Sequence, residues 1–225
     1  MENNMSFLRI KQLGILVAGL MLSGCMATQY QSADTSSFKP RDKDLLAKAS
    51  YARTPVAASF RRAIVDYHRK EAPGSILVDS DNHYLYYVLD NGKAIRYGVT
   101  VGEEALAFSG IARVGNKREW PDWIPTADIH KRMGGLPSRV AGGPDNPLGA
   151  RALYLYQGSK DTLFRIHGTN QPEYIGTSIS SGCIRMTNED AIDLYDRVKV
   201  GTMVVVLEPR RSARMASWGG NGSVN

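Results

Sequence analysis

Cysteine is scarce in this chain, with only two residues, Cys25 and Cys183, among 225. The sequence also lacks zinc-finger cysteine spacing, basic patches interleaved with aromatic residues, and internal repeats. A net charge of +6 would suit an anionic polymer, a membrane surface or nucleic acid. Because those signals are absent, no nucleic-acid partner is expected, and the excess of basic residues is interpreted as ordinary solubilising charge.

Phenylalanine is also sparse, with five residues against eleven tyrosines, whereas the chain has 22 glycines and 10 prolines. This composition, with β-branched residues in short runs, favours a mainly β fold with many turns over a helical bundle. Hydrophobic residues make up 43% of the chain, which is ample for one core. Length and composition together predict one domain with appendages.

One long apolar run, residues 13–22, lies behind two basic residues and leads into Leu22-Ser23-Gly24-Cys25. A short apolar core that ends in small residues is typical of an export signal and is too short to span a bilayer. Residues 1–24 are therefore predicted to be a signal peptide, with cleavage near Ala27 or an uncleaved anchor as alternatives. Each alternative places the rest of the chain outside the cytoplasm, in an oxidising compartment.

Short β-rich runs bounded by turn residues begin near residue 75. The Asn91-Gly92 pair between two of these runs is a strong hairpin signal. Behind Thr187, a candidate helix start, Ile192, Tyr195 and Val198 share one helical face. Strands are predicted over residues 75–79, 84–89, 93–101, 153–156, 163–166 and 203–207, and a helix between Thr187 and Gly201.

Residues 103–150 carry little regular pattern, apart from a possible strand over 109–114. A loop of this length in a compact domain is usually functional or disordered. We predict a lid or wall over a site, carrying Trp120, Trp123 and Met133. The alternative is that these residues simply cap the core.

Two polar motifs follow strand-like apolar residues: His167-Gly168-Thr169-Asn170 and, after a loop, Ser180-Ser181-Gly182-Cys183-Ile184-Arg185. A cysteine attacks as the thiolate and a nearby imidazole can take its proton, so Cys183 and His167 fit a thiol acyl-transfer enzyme. Gly182 leaves room for a substrate backbone, and its N–H is available to an oxyanion. Arg185 suits either a substrate carboxylate or an ion pair with Glu189 or Asp190.

Other interpretations of the pair are weaker. Cys183 as a buried, inert cysteine conflicts with its glycine and arginine neighbours. The local signatures of papain-type proteases are absent. Two ligands do not hold zinc and no nearby third is evident, so neither a metal nor a cofactor is expected.

The two motifs resemble those of the L,D-transpeptidase catalytic domain, the YkuD family, and the similarity covers roughly residues 73–208. The other blocks that resemble the family are Pro73-Gly74-Ser75-Ile76, Arg96-Tyr97-Gly98-Val99-Thr100-Val101-Gly102, Trp120-Pro121-Asp122-Trp123 and Asn146-Pro147-Leu148-Gly149. The resemblance implies a β-sandwich with long irregular loops and one short helix after the cysteine motif. Residues 57–70 allow a helix or an edge strand, and the resemblance favours extended structure for their second half.

The resemblance also implies roles for individual residues. Cys183 would form a thioester with a peptidoglycan tetrapeptide stem and release D-alanine. His167 would act as base and then as acid, oriented by the backbone carbonyl of Gly168. The expected oxyanion hole consists of the backbone N–H groups of Ser181, Gly182 and Cys183. The expected substrate-binding side chains are Arg185, Asn170 and Ser180, although Asn170 could equally shape its own loop.

The chain departs from the family at one motif position. Many members carry histidine immediately before the Gly-Cys pair, where this chain has Ser181. A serine cannot take a proton at neutral pH, so His167 must be the only general base.

The acceptor stays open. A second stem amine would give a 3–3 cross-link, an amine of an outer-membrane protein would give a protein adduct, and water would make the enzyme an L,D-carboxypeptidase. The alternative of another class is a non-catalytic envelope lipoprotein that binds peptidoglycan through the same groove.

The Leu-Ser-Gly-Cys stretch resembles a bacterial lipobox, which implies that Cys25 is lipidated and anchors the protein to a membrane, the outer membrane being favoured, on the periplasmic side. A lipidated Cys25 cannot form a disulfide with Cys183, which would then be a free thiol. The predicted organisation is a lipoprotein signal peptide (1–24), a flexible tether (25–56), an L,D-transpeptidase catalytic domain (57–208) and a disordered tail (209–225).

Overall fold

The structure is a computed structural model that describes residues 29–30, 34–102, 108–179 and 182–210. Within those residues the strands are β1 (Gln29–Tyr30), β2 (Ala63–Asp66), β3 (Ile76–Asp79), β4 (Tyr84–Val88), β5 (Lys93–Gly98), β6 (Val101–Gly102), β7 (Gly110–Glu119), β8 (Arg151–Gln157), β9 (Lys160–His167), β10 (Ser178–Ile179), β11 (Ile184–Arg185) and β12 (Met203–Val206). The α-helices there are α1 (Pro40–Lys48), α2 (Ala127–Met133) and α3 (Asn188–Arg197), with short 3-10 helices at Ala58–Phe60 and Pro172–Tyr174. The mainly β prediction is confirmed. Within this described part, no helix is long and apolar enough to cross a membrane.

Ten strands form one sheet in the order β1-β2-β5-β4-β3-β12-β7-β8-β9-β11. Neighbours in it are antiparallel except for the parallel pairs β3/β12 and β9/β11, and β6 and β10 form a separate parallel pair. The backbone of Thr100, which lies between β5 and β6, exchanges two 2.9 Å hydrogen bonds with that of Arg185 in β11. The edge strand β11 thus meets the far half of the sheet, which means that the sheet curls back on itself.

The curled sheet encloses a hydrophobic core to which both of its halves and α3 contribute. Tyr97 of β5 and Leu155 of β8 are fully buried in the same cluster as Leu194 of α3. α3 begins behind Thr187, whose side chain accepts a hydrogen bond from the N–H of Asp190, as the predicted N-terminal cap requires. The predicted helix after the cysteine motif is therefore present, and it lies against β8 and β9.

The hairpin of β4 and β5 is confirmed. Asn91 and Gly92 have φ angles of 60° and 67°, the left-handed backbone that the two central residues of a type I′ turn need. The other predicted strands coincide with β3, β8, β9 and β12 apart from their ends, and the second half of residues 57–70 is extended as β2.

The segment 103–150 is more regular than predicted. β7 is ten residues long, but a register shift between Val114 and Asn116 breaks the alternation by which a strand is identified from sequence. Trp120 is only 4% exposed, so it packs in the core rather than on a lid, whereas Met133 is 64% exposed. Residues 103–107 of this segment lie outside the described part of the chain.

α1 lies within the predicted tether, residues 25–56, and buried contacts hold it on the domain. Phe38 and Leu45 join a second hydrophobic cluster, and the Asp42 carboxylate forms an ion pair with Arg151 (2.6 Å) in which both side chains are 2% exposed. The predicted flexibility is thus corrected for this part of the tether. The amphipathic pattern of α1 was hidden because its inward face carries an aspartate whose partner lies 109 residues away.

Candidate active site

The parallel pair β9/β11 brings the two predicted motifs together. His167 and Arg185 are partners in the register of this pair, and the N–H of Met186 donates to the carbonyl oxygen of His167 (2.8 Å). Cys183 immediately precedes β11, and its thiol lies beside the backbone of Arg165 in β9. The register therefore places Arg185 beside His167 and brings Cys183, at the start of β11, next to the end of β9.

The imidazole of His167 is held by its own loop. Nδ1 lies 2.6 Å from the carbonyl oxygen of Gly168, so Nδ1–H donates and Nε2 keeps its lone pair for accepting a proton. His167 is 4% exposed. Burial, aided by the positive charge of Arg185, lowers the pKa of His167 to about 3, so the imidazole is neutral at physiological pH.

Cys183 forms no disulfide with any residue that the structure describes. Burial raises the pKa of its thiol, against the opposing positive charges of Arg165 and Arg185. The resting site therefore pairs a neutral thiol with a neutral imidazole. Cys25, Ser180 and Ser181 lie outside the described residues, so the lipidation site and part of the cysteine loop remain predictions from the sequence.

The remaining predicted residues differ in their surroundings. Nη1 of Arg185 lies 3.4 Å from Oε1 of Gln171. Asp190, one of the two ion-pair partners considered for Arg185, lies 3.7 Å from Arg62. Asn170 donates to the carbonyl oxygen of Asp145 (2.9 Å), an interaction that joins two loops, as expected of a residue that shapes its loop.

Asn188 supports the site and was missed by sequence reasoning, which assigned it only to the start of a helix. Its Oδ1 accepts from the N–H of Ala150 (2.8 Å), and its Nδ2 donates to the carbonyl oxygen of Thr169 (3.0 Å) and to the hydroxyl of Tyr51 (2.8 Å). A Cβ atom on Gly168 would lie 2.1 Å from Asn188 Oδ1. Asn188 thus packs directly against the residue whose carbonyl orients His167.

Arg165 is a second residue that sequence reasoning missed. Its guanidinium makes a two-pronged ion pair with Asp161 (2.7 and 2.8 Å) and lies 4.2 Å from the ring centroid of Tyr154. These contacts fix a positive charge beside Cys183. The signal available in the sequence was its position two residues before His167, which places both side chains on the same face of a strand.

The arrangement combines a nucleophile, a base with a fixed free nitrogen, and nearby positive charge, which are the elements of acyl transfer through a thioester. Among the described residues no group of three or more His, Cys, Asp or Glu side chains is placed to hold a metal ion.

Comparison with known proteins agrees with these features. Residues 73–206 match the model of the L,D-transpeptidase catalytic domain (YkuD). The probable L,D-transpeptidase YbiS of Escherichia coli is 34% identical over 141 residues, and the probable L,D-transpeptidase ErfK/SrfK of Salmonella typhimurium is 39% identical over 140 residues. The matches cover 60% and 59% of this chain but 44% of each relative, so the chain spans less than half the length of these relatives.

Among solved structures, a Brucella melitensis protein described as a probable carnitine operon oxidoreductase caia is 44% identical. The match covers 78% of this chain and 100% of that one, with a TM-score of 0.45.

Proposed function

Since this chain belongs to the family of L,D-transpeptidase catalytic domains (YkuD), we propose that it is an L,D-transpeptidase with Cys183 as nucleophile and His167 as general base. The observation that carries the proposal is the hydrogen bond from His167 Nδ1–H to Gly168, which leaves Nε2 free, on a strand paired with the one that follows Cys183. The donor is a peptidoglycan tetrapeptide stem that ends in D-alanine.

In the first step, Sγ of Cys183 attacks the carbonyl carbon of the bond to the terminal D-alanine while its proton passes to Nε2 of His167. The carbonyl oxygen becomes an anion, which the backbone N–H groups of Gly182, Cys183 and Ser181 stabilise. The carbon–nitrogen bond then breaks, the imidazolium protonates the leaving amine, and a thioester remains on Cys183.

In the second step an acceptor amine attacks the thioester carbonyl. His167 takes the proton of the amine, the carbon–sulfur bond breaks, and the proton returns to sulfur. The acceptor is the amine of a second stem, which gives a 3–3 cross-link, or an N-terminal or lysine amine of an envelope protein; water in its place gives a shortened stem. Arg185 is proposed to bind a substrate carboxylate near the reacting bond, because a guanidinium grips a carboxylate through two hydrogen bonds.

Intact-mass analysis of the protein mixed with a disaccharide-tetrapeptide tests the proposal. We expect a protein mass increased by the donor minus D-alanine, and a product whose mass identifies cross-linked dimer or tripeptide. A protein adduct requires an added envelope protein. Cys183→Ala should abolish acylation, and Cys25→Ala, which removes the other cysteine of the chain, should not. Turnover that survives in Cys183→Ala would refute the mechanism.

We also propose that the protein is a periplasmic lipoprotein, anchored through Cys25 to the outer membrane. Support comes from the apolar run at residues 13–22 and the small residues before Cys25. Metabolic labelling with a radioactive fatty acid should mark the wild-type protein but not Cys25→Ala. Equal labelling of both proteins would contradict the anchor.

A further inference from the structure

The chain before the family domain contributes to the active site. The family model begins at residue 73, yet the preceding segment 38–51, which contains α1, places two polar side chains, those of Asp42 and Tyr51, among the residues that support His167. Asp42 is 1% exposed, and Tyr51 is half-buried.

Asp42 holds the segment against β8, the strand that pairs with β9 and its His167. Its carboxylate accepts hydrogen bonds from Nη1 and Nη2 of Arg151 (3.0 and 2.6 Å) and from the indole N–H of Trp120 (2.7 Å). The backbone carbonyl of Arg151 in turn accepts from the N–H of Gly168 (3.0 Å). Arg151 therefore connects the carboxylate of Asp42 to the backbone of Gly168, the residue whose carbonyl orients the imidazole.

Tyr51 makes the second connection. Its hydroxyl donates to the carbonyl oxygen of Pro144 (2.7 Å) and accepts from Nδ2 of Asn188 (2.8 Å). Burial and the negative charge of Glu189 raise the pKa of Tyr51 to about 12, so the hydroxyl keeps its proton and fills both roles at once. The Nδ2 group of Asn188 also donates to the carbonyl oxygen of Thr169, so Asn188 links Tyr51 to the loop that follows His167.

Asn188 is closely packed against two glycines of the site. A Cβ on Gly149 and one on Gly168 would each lie 2.1 Å from Oδ1 of Asn188, far inside van der Waals contact. Oδ1 of Asn188 thus lies directly against the backbone of Gly168, whose carbonyl accepts from His167 Nδ1–H.

We propose that segment 38–51 forms an active-site brace in which Tyr51, through Asn188, is a positioning residue for His167, with Asp42 holding the segment in place. The proposal rests on the function proposed above for Cys183 and His167. It makes the active site depend on residues beyond the family domain.

The test compares Tyr51→Phe with Tyr67→Phe in the full chain. Tyr67 is a matched control because it is 7% exposed in a separate cluster with Leu77 and Val88 and also donates a 2.7 Å hydrogen bond from its hydroxyl, to Glu71. Tyr51→Phe leaves an N–H of Asn188 without its acceptor, for which we expect kcat with the tetrapeptide to fall about tenfold with little change in KM. Both variants should lower Tm by similar amounts.

Two further readouts do not depend on the substrate. The alkylation rate of Cys183 by iodoacetamide at pH 7 should fall several-fold in Tyr51→Phe only, because the imidazole that takes the thiol proton is less well placed. The ¹⁵N NMR signals of His167 should show a loss of the pure Nδ1–H tautomer in Tyr51→Phe. A fall in kcat or alkylation no larger than that of Tyr67→Phe, with an unchanged His167 tautomer, would overturn the brace. A wild-type protein that alkylates readily but never reacts with tetrapeptide would instead overturn the proposed function.

Discussion

Removal of the negative charge of Asp42 is expected to destabilise the protein strongly. Asp42→Asn keeps the size of the side chain but leaves the guanidinium of Arg151, 1% exposed, without its counter-charge. Breaking a buried ion pair from one side costs about 3–5 kcal/mol, which is a large part of the roughly 5–15 kcal/mol that stabilises a typical domain. The amide nitrogen that replaces Oδ2 is itself a donor and would face Nη2 of Arg151, which acts in the same direction.

Detachment of α1 from the domain would limit the stability that Asp42→Asn removes. If α1 detaches, Arg151 gains water, and the loss is capped at the free energy that holds α1 on the domain. The apolar contribution to that free energy comes from Phe38, which is buried, and from Leu45 and Leu46, which are partly buried; complete burial of one such side chain contributes about 1.5–3 kcal/mol. The two routes thus give similar magnitudes, and a loss of about 3 kcal/mol is expected for Asp42→Asn.

Urea unfolding followed by circular dichroism measures the loss, and hydrogen exchange in residues 40–48 shows which route is taken. Asp44→Asn is the matched control on the same helix: Asp44 pairs with Lys48 across exposed side chains (61% and 66%), and such surface pairs contribute less than about 1 kcal/mol. Combining Asp42→Asn with Arg151→Met should restore much of the stability, because no buried charge remains. A loss below about 1 kcal/mol for Asp42→Asn would refute the reasoning.

The remaining predictions concern the site itself. Arg185→Met should raise the pKa of both His167 and Cys183, since the positive charge of Arg185 lowers both. NMR titration measures the pKa of His167, and the pH profile of alkylation measures that of Cys183. Unchanged pKa values would contradict the proximity of Arg185 to these two groups. Because the folded-state pKa of His167 is about 3, below the unfolded value near 6.5, its neutral burial contributes stability that is lost as pH falls from about 6.5 to 3. His167→Gln should therefore reduce the acid dependence of urea unfolding over this range, by a slope of up to about 1.4 kcal/mol per pH unit. Gly168→Ala should abolish tetrapeptide turnover because its Cβ would meet Asn188, and near-normal turnover would show that this loop can shift.

Much of the fold was predictable because its signals are local. The type I′ turn needs φ > 0 at two adjacent residues, and the Asn91-Gly92 pair predicts this turn whatever the rest of the chain does. The cap at Thr187 is likewise decided within one helical turn. The strands before His167 and after the α3 helix carry ordinary apolar runs.

The errors arose where structure depends on distant partners. β7 carries a register shift, and its length is explained by its pairing with β12 at one end and with β8 at the other. α1 carries a charged residue on its inward face, which is acceptable only because Arg151 meets it. A single sequence does not reveal either partner.

The contrast between local signals and distant partners also applies to the residues of the site. The His167 and Cys183 motifs could be identified because reactive residue types stand out beside glycine. Asn188 and Tyr51 could not, since an asparagine at a helix start and a tyrosine in a polar segment are ordinary residues. Their positions become meaningful only through hydrogen bonds to loops that the chain reaches much later or earlier.

The buried state of the site explains why such supports matter. Burial lowers the pKa of His167 and raises that of Cys183, because each charged form loses solvation, so the proton rests on sulfur before attack. Arg185 favours the thiolate but disfavours the imidazolium, and therefore does little to stabilise the two charges together. In the proposed reaction, the charged pair becomes accessible when the negative charge moves on to the substrate oxygen, which would tie proton transfer to attack. A base that works only at that moment would depend on its orientation more than on its pKa, and in the proposed brace Gly168 and Asn188 hold that orientation.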